Sequence, residues 1–233
     1  MNPKAVKIGG ESLLDRVLPH MKKILIAIGI TTVVLTVIFT RRYFIERGEQ
    51  KETFKLANVL QIASQPVRAV GDTLDPKNPT YADDKERADA VIAAATNQDV
   101  VLSPAYRGGM LMDQGKIDDA IAAYRVGIGA DGIDGVLARE GLGIAQETKA
   151  LAEKDAAAKT KGLEEALLTF ESMQPDVAGP RYAYGQYHVG RMLALLGKTD
   201  EAKAALTKAR DAAKGSMDLL PELIEKRLAS LGA

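Results

Sequence analysis

Few side chains in this chain could carry out chemistry. Two histidines, His20 and His188, stand without a single cysteine in 233 residues, which excludes disulfides, thiolate nucleophiles and Cys-based zinc or iron–sulfur sites. Gly197-Lys198-Thr199 matches the end of a phosphate loop. That loop needs Gly five residues before Gly197, where Met192 stands, and it must leave a strand, so a helix-joining turn is the better reading. Asp131-Gly132-Ile133-Asp134-Gly135 invites a calcium reading. Calcium geometry needs alternating acidic ligands and a terminal Glu, and Ile133 fills a ligand slot, which leaves a solvated hairpin connector. His188 has no second His and no Ser or Asp partner with which to build a triad. No catalytic residue, metal ligand or cofactor site is assigned, and a non-enzymatic role is expected.

What remains is a surface for binding. Tyr184, Tyr187, His188 and Arg191 recur at three- and four-residue steps, so on a helix they share one face, and they form the densest aromatic group in the chain. Tyr and Arg anchor protein interfaces because they bury a large area while keeping a polar tip. Lys and Arg total 31 against 31 Asp and Glu, so no cationic excess exists to neutralise a phosphate backbone. Nucleic acid and small-molecule ligands are not expected; other proteins are.

The elements that must position this face begin at a membrane. Ile24 to Thr40 is a run of 17 residues without a charge, bracketed by Lys22-Lys23 and Arg41-Arg42, with Tyr43 and Phe44 at one edge. At about 1.5 Å per residue it reaches roughly 26 Å, and flanking Lys and Arg stems can snorkel to close the gap to a hydrocarbon core of about 30 Å. No small-x-small cleavage pattern follows, which favours a retained anchor over a signal peptide. Lys4, Lys7, Arg16, Lys22 and Lys23 precede the span, and Arg41, Arg42, Arg47, Lys51 and Lys55 follow it, so the flanking charges give no orientation. The predicted layout is a leader over 1–23, a transmembrane helix over 24–40, a helical extension with N-terminal helices over 41–97, and repeats with a capping helix over 98–233. Within it, Glu11 to Met21 is expected to lie as an interfacial amphipathic turn, Gly71 to Thr80 as a loop, and Ala82 to Asn97 as a helix.

Internal repetition is the strongest signal. Offset by 82, Tyr106–Gly127 and His188–Ala209 share nine identities in 22 columns, among them Gly108/Gly190, Leu111/Leu193, Gly115/Gly197 and Ala120/Ala202. Each unit reads as a helix, a Gly-Lys-x-Asp turn and a second helix, with small residues where the two must approach closely. This spacing resembles the tetratricopeptide repeat: Gly108, Leu111, Gly115, Ala120 and Tyr124 in one unit, Gly190, Leu193, Gly197, Ala202 and Leu206 in another. A degenerate middle unit carries Gly143, Ala166 and Phe170, and its inserted segment Ala150–Lys161 is expected to lengthen helices rather than form a loop. A capping helix is predicted over Asp218–Leu231, with Leu223, Ile224, Leu228 and Leu231 inward. The fold class expected is all-α, a single N-terminal transmembrane helix followed by a helical-hairpin solenoid.

Taken whole, this layout resembles the bacterial ancillary SecYEG translocon subunit family (YfgM-like). The resemblance implies a single-pass inner-membrane protein with a cytoplasmic leader and a periplasmic repeat domain, a scaffold near the protein-export channel that contacts a membrane-anchored chaperone. A structural or assembly subunit of another envelope complex shares the topology and stands as the alternative. A regulatory domain associated with an enzyme is the weakest reading.

Overall fold

The computed structural model describes residues 20–69, 71, 80–215 and 219–232. The interfacial turn expected in the leader and most of the Gly71–Thr80 loop lie outside the described residues. Among those described, the chain is all-helical, with nine helices and no strand. It divides into two compact units between Lys55 and Leu56.

The first unit takes in α1 (Met21–Ala63) as far as Lys55; α1 is a 43-residue helix containing an 18-residue window of mean hydropathy 2.2, none of it buried. It is long and apolar enough to cross a membrane. Thr31, Thr32 and Thr36 donate their hydroxyls to the carbonyls of Ala27, Ile28 and Thr32, 2.8–2.9 Å away, which satisfies these three polar groups within the helix itself. The helix continues past the expected span and stops three residues before Pro66, which disfavours helical geometry at the residue preceding it.

The second unit begins with the last turns of α1, where Val59 is fully buried against Val91, Ala94 and Ala95 of α2 (Asp84–Asn97). α2 starts two residues later than Ala82 because Asp83 serves as its N-cap, accepting from the Glu86 amide at 2.7 Å. Three helix pairs follow: α3 (Pro104–Asp113) with α4 (Ile117–Gly127), α5 (Gly132–Ala152) with α6 (Ala156–Glu171), and α7 (Tyr182–Leu195) with α8 (Thr199–Ala212). The cap, α9 (Leu220–Ser230), packs on α8 and α7. The insertion expected to lengthen helices does so: α5 runs to Ala152, a three-residue turn intervenes, and Asp155 caps α6 by accepting from the Ala158 amide at 2.8 Å.

The Gly-Lys turns at the two ends of the array are the same object. Gly115 and Gly197 have φ +74° and +75°, a region that L side chains resist. Lys116 and Lys198 follow with φ, ψ of −86°, 66° and −85°, 66°. In both, the lysine amide reaches back to a leucine carbonyl, Leu111 or Leu193, at 2.9 Å, closing the first helix of the pair.

Each pair is locked by one glycine receiving one large side chain. A Cβ at Gly108 would stand 2.5 Å from the Tyr124 ring, at Gly143 2.6 Å from the Phe170 ring, and at Gly190 2.6 Å from Leu206. Tyr124 also meets Gly141 of the next pair, and its burial, with Asp113 and Glu140 nearby, pushes its phenol up to about 12. Ala120, Ala166 and Ala202, the small residues of the second helices, are each fully buried. In the cap, Leu220, Ile224 and Leu228 form the inward stripe at four-residue steps. Leu223, expected inward, is instead 45% exposed, because a residue adjacent to Ile224 is turned about 100° away from that stripe.

Candidate partner-binding site

Tyr184, Tyr187, His188 and Arg191 all stand on α7, the first helix of the third pair, and the structure divides them. His188 is buried. Its ring stacks on Phe170 with centroids 4.6 Å apart and planes 11° from parallel, and its Nε2 lies 3.4 Å from a Glu140 carboxylate oxygen on α5. Expected on a groove or surface, it is a core histidine, because the notch at Gly143 draws Phe170 directly beneath it. Arg191 is half-buried and paired with Glu147, and Tyr184 lies under the Arg181 guanidinium, 4.1 Å from ring centroid to carbon. Tyr187 reaches the joint with α9.

Sequence reasoning missed the partners of these groups. Glu140 and Glu147, both buried, are seven residues apart on α5 and so project from one face. Arg181 pairs with Glu140 and Arg191 with Glu147, which gives two ionic rungs between the first helices of the second and third pairs. Burial pushes the Glu140 carboxyl up, but hydrogen bonds from His188 and Arg181 and their charges outweigh it, holding the carboxyl below its ordinary value. A third arginine, Arg139, donates from Nε to the Met173 carbonyl at 3.1 Å and from Nη1 to that of Ile128, tying α5 to the ends of α6 and α4. Glu140 and Glu147 share a seven-residue step, but the arginines that pair with them, Arg181 and Arg191, are ten residues apart, so no matching spacing marks the rungs in the sequence.

The remaining candidates fall into place as structure. Gly197-Lys198-Thr199 joins two helices. Gly132 to Gly135 forms the first turn of α5, not a connector, and only Asp131 lies outside it, as the residue before the helix. Among the described residues no group of three or more His, Asp or Glu side chains gathers as metal ligands.

Two grooves repeat the 82-residue offset in space. One, of about 590 Å³, is lined by Pro104, Arg107, Leu111, Asp119, Ala122, Ala123 and Val126, closed by Val101 and Leu102. The other, of about 380 Å³, is lined by the counterparts of those first seven residues: Gln186, Val189, Leu193, Glu201, Ala204, Ala205 and Lys208, closed by Glu171. Side chains that match only by sequence offset thus line matching surfaces. Comparison of the chain with protein-family models, with curated proteins and with solved structures returned no match in any of the three.

Proposed function

We propose that this chain is a membrane-anchored scaffold of the bacterial envelope that acts by binding other proteins through a tetratricopeptide-like repeat domain. The observation carrying this reading is the shared lock of the three helix pairs, Gly108 with Tyr124, Gly143 with Phe170 and Gly190 with Leu206, together with the matching grooves. Stacked pairs of one register build an extended surface from neighbour contacts alone, which suits a scaffold. The apolar, uncovered α1 window supports attachment to the bilayer. The partners proposed are the Sec translocon and a periplasmic chaperone, with the repeat domain outside the cytoplasm.

Two measurements test it. An alkaline phosphatase domain fused at the C-terminus is expected to be active, since that enzyme matures only outside the cytoplasm; an inactive fusion with an active cytoplasmic reporter at the same end reverses the orientation. Affinity purification from solubilised membranes, with mass spectrometry, is expected to recover translocon subunits and a membrane-anchored chaperone. Recovery of a different envelope complex instead would replace the export assignment with an assembly role there.

A further inference from the structure

We propose that the joint between α7 and α9 is a docking site for a partner segment carrying an apolar side chain next to a carboxylate. The proposal deepens the scaffold reading and rests on it. Tyr187, Leu223, Lys226, Arg227 and Ser230 line a pocket of about 250 Å³, room for one or two side chains. The surface inside is mainly apolar, so an apolar side chain is the group that gains by entering. Leu223 is 45% exposed and Leu219, one turn earlier, 72%, which extends the apolar strip beyond the pocket.

Charge selects the rest of the ligand. Lys226 and Arg227 are exposed and form no ion pair among the described residues, whereas Arg181 and Arg191, the cations beside this face, are already held by Glu140 and Glu147. The lining therefore carries two charges of one sign that form no ion pair among the described residues, beside the apolar contacts of Tyr187 and Leu223, and a carboxylate adjacent to the inserted side chain complements both. The larger groove on α3 and α4 carries one charge of each sign, Arg107 and Asp119, and so selects no ligand class. In the pocket at α9, Leu223, which lies off the inward stripe of Leu220, Ile224 and Leu228, offers its hydrophobic contact outward.

The test uses the full chain in detergent micelles and two fluorescein-labelled hexapeptides, Leu-Phe flanked on each side by two Asp or by two Lys, followed by fluorescence anisotropy. The acidic peptide is expected to bind saturably with a Kd at least tenfold below that of the basic one. Lys226→Glu with Arg227→Glu should weaken it tenfold or more, and Leu223→Asp likewise. Lys116→Glu with Lys154→Glu, an equal charge change elsewhere on the exposed surface, should alter binding less than twofold. All these side chains are exposed, and unchanged circular dichroism establishes that the variants fold. Equal binding of the two peptides, equal loss in both charge-reversed variants, or no binding overturns the site. Self-association of the chain that Leu223→Asp abolishes, with no peptide binding, overturns it in favour of a second copy as occupant. Envelope partners that co-purify unchanged with the Lys226→Glu, Arg227→Glu chain refute this site and leave the scaffold standing. A wild-type chain that recovers no partner but binds the acidic peptide refutes the scaffold instead.

Discussion

Phe170→Ala is expected to destabilise the helical domain by about 3–5 kcal/mol, the range for removing a buried aromatic ring. The ring is 1% exposed, fills the notch left by Gly143 and stacks on His188. Its loss opens a cavity bounded by backbone on one side, which cannot collapse into it, and removes one wall of the histidine's site. Denaturant unfolding of the solubilised chain, followed by circular dichroism, measures the change. Leu168→Ala, two residues away but 66% exposed, should stay within about 0.5 kcal/mol. Equal effects from the two would place Phe170 outside the core.

Glu140→Ala is expected to cost about 2–3 kcal/mol, because it strips a partly buried ion pair of one member and leaves the Arg181 charge without its carboxylate. The same carboxylate makes stability depend on pH. Its folded-state affinity for protons lies below that of the unfolded chain, so its contribution is complete above the ordinary carboxylate value of 4.5 and is lost as pH falls through the lowered one. Wild-type unfolding midpoints should therefore drop on acidification below about 4.5, and the drop should be smaller in Glu140→Gln. Parallel pH profiles for the two chains would show that the rung through Glu140 contributes nothing to stability.

The helix pairs were legible in the sequence because close approach leaves a local mark. Glycine is the residue favoured at the φ of +74° and +75° in the turns, and only a missing Cβ admits Tyr124, Phe170 or Leu206, so the register could be found by looking for small residues at fixed steps. The rungs were not legible for the opposite reason. Glutamate on a helix reads as solvated, and whether Glu140 or Glu147 is buried depends on which helix lies opposite, which no single helix pattern encodes. His188 and Arg191, three residues apart, share a helix face by periodicity, but periodicity states that a face exists without stating what covers it. Leu223 shows the same limit in reverse, an apolar side chain on a helix whose inward stripe was already complete. Membrane orientation stayed out of reach because five cations flank each end of the span.

The glycine locks also constrain the order in which this sequence can change over evolutionary time. At Gly190 a methyl group would collide with Leu206 at 2.6 Å, whereas shrinking Leu206 first leaves a void that the methyl could then occupy. The two changes are therefore not commutative: one path passes through a cavity and the other through a clash, although both end at the same pair. Tyr124 is held more tightly, because it meets Gly108 within its own pair and Gly141 in the next, so any change there must be matched at two positions. The pair of Gly190 and Leu206, where Leu206 has one such partner, can thus change sooner than this junction, and a lineage comparison would find substitutions at positions 108, 124 and 141 arriving together.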